Sequence, residues 1–169
     1  DRILSFGVNG KRNMLYDARQ RPQSVLLHGR LYIAYNADAT ATKNNKGKAY
    51  PMLITYDPQT TRFTKPVRIG PQSSDHHYSP IIWADESDHL HVLHGCHRTP
   101  GTHLISAEPV VAGTSEVKWE EAPRIAPRLS YPTVFRVYDE KEVIAYRTNG
   151  HISSWTYRIS EDNGKTWVG

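Results

Sequence analysis

A single cysteine, Cys96, stands among the 169 residues. No disulfide can therefore close within the chain, and whatever holds it together is noncovalent. No apolar run approaches the roughly 18 residues that a membrane-crossing helix requires. No basic-then-apolar leader precedes the first residues, so the chain reads as a mature form or an excised segment. No stretch sustains an apolar period of 3.6 residues, which argues against long amphipathic helices. The Lys and Arg residues, 21 together, are scattered rather than gathered into a stripe, which argues against a nucleic-acid face. The net charge of +4 instead suits a polyanion such as an acidic polysaccharide, or simply aids solubility.

What is present points to strands. Ten Tyr and four Trp carry much of the apolar surface, and aromatic and β-branched side chains fit a pleated, half-buried sheet. Eleven Gly and eleven Pro punctuate the chain throughout. The fold class is therefore expected to be all-β.

Three segments then align on a proline followed by two apolar runs around a turn: residues 22–35, 80–94 and 132–146. Each reads as a β-hairpin, with turns at Gly29, at Asp85 and Asp88, and at Asp139. A proline opening a strand is tolerated because no ladder donor is needed there. A third strand is expected after each hairpin, at 52–56, 103–107 and 154–159, followed by a polar turn and a closing aromatic, Phe63, Trp119 or Trp167. Four strands per unit of roughly 50 residues is the pattern of a β-propeller blade. The blades are placed at about 21–69, 79–121 and 131–169, all within one partial propeller domain. Three blades cannot close a ring, so the chain is expected to be an incomplete part of one, about seven blades in all. Residues 1–20 show no clear pattern.

The third unit ends in Ser160, Asp162, Gly164, Thr166 and Trp167, which fill every fixed position of the Asp-box pattern. Its physical sense is a turn. The Asp side chain satisfies backbone donors, Gly accepts positive φ, and Trp packs between sheets. Asp162 is accordingly read as structural.

Seven of the nine histidines fall between positions 76 and 103. His94 and His97 flank Gly95 and Cys96 where a strand leaves its hairpin, and His76 and His77 precede the partner strand. Hairpin topology brings these ends to one rim. Two histidines there can serve as general acid and base near neutral pH. A zinc ion held by His94, Cys96, His97 and one of His76 or His77 is a second reading, weakened by the spacing. His89, His91, His103, His28 and His151 are read as ordinary structural residues.

The run Asp75-His76-His77-Tyr78-Ser79-Pro80, with Asp85, Leu90-His91-Val92 and Gly95-Cys96-His97, resembles the BNR repeat-containing propeller family. That family includes propeller-type ulvan lyases and related rhamnosyl-glucuronate hydrolases. The resemblance continues through Ser130-Tyr131-Pro132, Tyr146-Arg147 and the Asp box, covering residues 21–167. It implies a polysaccharide lyase acting by β-elimination on a uronic-acid-containing glycan, in a secreted or periplasmic setting. It implies His77, His97 and Tyr131 as proton-transfer groups and Arg147 as the cation neutralising the uronate carboxylate. His76 takes the place of His77 if the register slips by one. His76, Tyr78 and His94 are expected to line the sugar site, with Tyr78 a departure from the Asn or Gly usual after the motif histidine. No cofactor is required, although a structural calcium or zinc ion is compatible. A glycoside hydrolase on the same scaffold, rhamnosidase- or sialidase-like, and a non-catalytic glycan-binding propeller are the alternatives.

Overall fold

A computed structural model describes residues 3, 4, 6, 20–37, 49–114, 116–137, 141–152 and 154–169, with backbone alone at His76 and Gly150. The strands form three antiparallel sheets, and no sheet closes on itself among the described residues. The expected Asp139 turn lies outside the described residues.

The first sheet holds β1 (Ser24–Leu27), β2 (Arg30–Ala37) and β3 (Tyr50–Asp57), with the short β4 (Arg62–Phe63) and β5 (Val67–Arg68) both paired to β3. Its hairpin closes on His28 and Gly29, both at positive φ (47° and 77°), the conformation of a two-residue type I′ turn. The second sheet runs β10 (Trp119–Glu121), β9 (Thr102–Ser106), β7 (Leu90–His94), β6 (Ile81–Ala84). At its hairpin, the Asp85 carboxylate accepts from the Ser87 and His89 amides (2.8 and 2.9 Å), as the turn reading requires. The third sheet runs β13 (Trp155–Ser160), β12 (Glu142–Arg147), β11 (Leu129–Arg136), β8 (His97–Thr99).

The three hairpins and the third strand after each fall where the sequence places them. Three features differ, the first being that the first sheet holds five strands rather than the expected four. Phe63 and Trp119 do stand on closing strands, but Trp167 follows β13 outside any strand, in a segment whose backbone meets β13 through the isolated bridge between Ile159 and Val168. Further, β8 follows β7 in the chain yet pairs with β11, so a strand of the second unit completes the third sheet. Three residues without alternation leave no pattern that could announce this.

The sheets stack in chain order, and the middle one is covered on both faces. Ile82, Ala84, Leu90 and Val92 pack against Tyr32, Ala34 and Leu53 of the first sheet. Ile81, Trp83 and Leu93 pack against Leu129, Val134, Ile144 and Tyr146 of the third. Two covered faces explain why β6 and β7 are buried at every position. At about 1.5–3 kcal/mol per large apolar side chain removed from water, these two layers supply most of the cohesion.

The Asp-box loop closes as its residues require. Asp162 accepts from the Thr166 amide (2.8 Å) and hydroxyl (2.6 Å), and the Ser160 hydroxyl accepts from the Gly164 amide (2.8 Å). The Trp167 indole donates to the Gly164 carbonyl (3.0 Å) and its ring is buried in the layer between the second and third sheets. Gly164 sits at φ +72°, and a β-carbon there would stand 2.8 Å from the His91 ring.

Candidate active site

Four separate pieces of chain meet at one rim. Before β6, residues His76–Tyr78 form a single 3₁₀ turn whose cap is Asp75. The Asp75 carboxylate accepts the His77 amide (2.9 Å), which holds the turn and aims the His77 ring. The second piece is β8. Its pairing of His97 with Ser130 sets His97 beside the start of β11.

The third piece is a bulge. Ser130 pairs with Arg147, and the register then shifts before Thr133 pairs with Ala145, leaving Tyr131 and Pro132 outside the ladder. Tyr131 adopts φ +56°, a left-handed conformation costly for a bulky residue. The bulge redirects a side chain that regular alternation would place elsewhere. The fourth piece, the turn Gly150–Ile152 between β12 and β13, carries His151.

These elements converge tightly. His77 Nδ1 lies 2.7 Å from one oxygen of Asp75, and His97 Nδ1 lies 2.9 Å from the other. An ionised carboxylate only accepts, so both rings donate from Nδ1, which in the neutral tautomer leaves the Nε2 lone pair turned outward. The two imidazoles stand 4.0 Å apart, tilted by 34°. The Tyr131 hydroxyl lies 3.1 and 3.0 Å from the two nitrogens of His151, and its ring centre is 5.6 Å from that of His77. Arg147 ends β12, donates to the His151 carbonyl (3.1 Å), and holds its guanidinium 5.6 Å from the Trp155 ring centre. Burial works to raise the Asp75 pKa, but hydrogen bonds from the His77 amide and from both imidazoles outweigh it and hold the carboxyl at about 2.

All four residues expected to carry the chemistry, His77, His97, Tyr131 and Arg147, thus stand at this rim. Tyr78 and His94 line an adjoining cavity of about 280 Å³ whose wall includes Asp75 and Thr99. His94 is almost wholly buried, and its ring packs so closely on Gly70 that a β-carbon there would sit 2.6 Å away. Burial holds its pKa down at about 4, so it is a neutral wall. The His76 side chain lies outside the described residues.

Two participants escaped the sequence. Asp75 appeared only as part of a run, although an Asp two residues before a His at a turn start could have signalled its cap-and-orient geometry. His151 was read as structural because it stands alone in the sequence; its turn delivers it to Tyr131. The zinc set of His94, Cys96, His97 and His77 does not assemble. Cys96 is buried against the His94 carbonyl and Gly101, and burial pushes its thiol pKa far up. The group that could hold a metal among the described residues is instead His77, His97 and His151, whose nitrogens lie within 4.8 Å of one another.

His91 and His103 are buried strand residues, as expected, but they belong to a second polar group between the sheets. His91 contacts Asp85 (3.2 Å) and His103 (3.0 Å), and Trp83 stacks on His91 while donating to Glu142 (3.0 Å). Burial pushes the Glu142 carboxyl up to about 7, even though the Trp83 hydrogen bond works against that shift.

No family model matches the chain. Among curated proteins it is similar to an ulvan lyase of Alteromonas sp. (strain LOR), 23% identical over 172 residues, covering 88% of this chain and 33% of the relative. It is also similar to Ulvan Lyase-PL25 of Pseudoalteromonas sp. (strain PLSV), 23% identical over 187 residues, covering 96% of this chain and 35% of the relative. Two solved structures of a PL25 ulvan lyase, one bound to -[GlcA(1-4)Rha3S]-, match with a TM-score of 0.78 at 23% and 22% identity, over 97% of this chain and 40% of theirs. The chain spans about a third of the length of the curated relatives it matches. Over that span the chain is similar in sequence to these ulvan lyases, and its fold matches the corresponding part of the PL25 structures.

Proposed function

We propose that this chain carries the proton-transfer centre of a polysaccharide lyase that cleaves a uronic-acid-containing glycan by β-elimination. The observation that carries the reading is the pair of imidazoles held by one carboxylate, with Tyr131 and Arg147 at the same rim. The likeness to ulvan lyases, and the uronate–rhamnose oligosaccharide bound by a structural neighbour, point to the same substrate class.

Arg147 offers a planar fork to the uronate carboxylate, which lowers the barrier to removing the adjacent C5 proton. An Nε2 lone pair of the His77–His97 pair accepts that proton, while Asp75 fixes the tautomer and steadies the cation that forms. The electrons of the C5–H bond become the C4–C5 double bond as the C4–O bond breaks. The Tyr131 hydroxyl returns a proton to the departing glycosidic oxygen, and His151 orients that hydroxyl. Tyr78 and His94 form a wall for the neighbouring sugar.

A hydrolase of the usual kind sets two carboxyl groups across the scissile bond. Among the described residues, the rim cluster holds one carboxylate, Asp75, and both its oxygens are engaged by histidines. This favours elimination. Incubation with ulvan should produce an unsaturated uronate absorbing in the near ultraviolet. Reducing ends without that absorbance would assign hydrolysis, and binding without either product would leave a glycan-binding module.

The three stacked sheets are read as successive blades of a larger β-propeller of the BNR, Asp-box type. The Asp-box turn geometry and the partial span of the relatives support this. A polymeric substrate cannot cross a membrane, so the proposed site of action is outside the cytoplasm. No helix among the described residues is long and apolar enough to cross one.

A further inference from the structure

We propose that His77, His97 and His151 form a binding site for a zinc-class transition-metal ion, and that the ion and the proton-transfer reaction exclude one another. The ligand chemistry stands on geometry alone; the exclusion rests on the lyase reading.

Three imidazole nitrogens lie within 4.8 Å of one another. Two of the rings are prepared as metal ligands usually are, each donating its other N–H to a carboxylate that fixes tautomer and orientation. Asp75 performs this for both at once, so the outward atom on each is an Nε2 lone pair. His97 Nε2 is buried and has no hydrogen-bond partner among the described residues. A metal bond would satisfy this orphaned acceptor.

Metal–nitrogen bonds near 2.0–2.1 Å place tetrahedral ligands about 3.4 Å apart, so a trio within 4.8 Å contracts by at most about 1.4 Å to close on an ion. His151 can supply this movement, being exposed on a one-turn element between β12 and β13. It would release Tyr131 as it swings in. An all-nitrogen set selects zinc, cobalt or copper over calcium and magnesium, which demand oxygen. Three protein ligands leave a fourth position for water. A metal so placed occupies the lone pairs that would accept the substrate proton, so a loaded centre is silent.

The test uses the full-length protein, stripped with a chelator and titrated with Co²⁺. One equivalent should bind with the visible absorption of tetrahedral cobalt, Zn²⁺ should displace it, and Ca²⁺ should not. His151→Ala should weaken binding about 10–100-fold, and His97→Ala should remove the spectrum. Ulvan turnover should fall in proportion to occupancy and return on chelation. Circular dichroism of each variant separates a lost ligand from a lost fold. A cobalt spectrum absent at one equivalent, or unchanged in both variants, overturns the site, as does full turnover by the loaded protein. A His-dependent spectrum with no unsaturated product from the stripped protein sinks the lyase reading and leaves the metal site standing.

Discussion

At the scale of single residues, the rim and the buried cluster between the sheets use histidine in opposite ways. At the rim, Asp75 keeps two imidazoles oriented and chemically available. In the lyase reading, His97→Ala should therefore lower ulvan turnover roughly 10²–10⁴-fold with the thermal midpoint little changed. Arg147→Lys should lower kcat about 10²–10³-fold, because a point charge replaces the two-pronged contact to a developing charge. Steady-state rates followed by near-ultraviolet absorbance check both. In the buried cluster, burial suppresses ionisation of His103 and Glu142, while at Asp85 burial is outweighed by hydrogen bonds from His91 and two backbone amides, which hold the carboxyl below its usual range. Burial lowers the His103 pKa to about 3 and raises that of Glu142 to about 7. The folded state thus prefers protonated Glu142, whereas the unfolded chain ionises it near 4.5. Its stabilising contribution is present below about pH 4.5 and is lost as pH rises towards 7. Glu142→Gln keeps the acceptor for Trp83 and cannot ionise. Relative to the parent, it should gain on the order of 1–3 kcal/mol between pH 4.5 and 7.5, read from thermal midpoints at the two ends. A flat difference across that window would show that Glu142 is not the group responsible.

At the scale of elements, burial and backbone conformation dictate what each strand and turn tolerates. Leu90 on β7 has no exposed surface, and both faces of its sheet are covered. Leu90→Ala should cost about 2–5 kcal/mol in denaturant unfolding. The three hairpins were legible in the sequence because short apolar runs bounded by Gly29, Asp85 and Asp88 carry both a period and a reason to turn. The Asp box was legible for the same reason: each of its fixed residues satisfies a local need. The bulge at Tyr131 was not, because a left-handed tyrosine leaves no trace in composition. Nor was β8, whose residues find their partners thirty or more positions away. The rim residues were visible through the crowding of histidines and through family likeness, whereas His151, isolated in sequence, became visible only once its turn was placed against Tyr131.

At the scale of the whole molecule, charge and completeness matter. The net charge of +4 favours capture of a polyanion over long range. In the lyase reading, raising salt from about 0.05 to 0.5 M, roughly a threefold change in screening length, should increase KM for ulvan while leaving kcat nearly constant. An unchanged KM would place recognition in short-range contacts alone. Trp155 and Tyr157 are more than half exposed on β13, the edge strand of the third sheet. A further blade seated against that sheet would cover them. In the propeller reading, intrinsic fluorescence of Trp155 should therefore be blue-shifted in full-length protein relative to a segment ending at Gly169.

The crossing of β8 has a mechanical consequence. His97 belongs to one sheet by hydrogen bonding and to its neighbour by covalent connection, through the short link from His94. Its ring meets His77, which is anchored at the entrance to the second sheet. The gap between the two imidazoles is therefore a gauge of how the second and third sheets are seated. Any slip of one layer over the other would be felt there first, so substitutions deep in the layer around Trp83 and Ile144 should detune the rim from a distance.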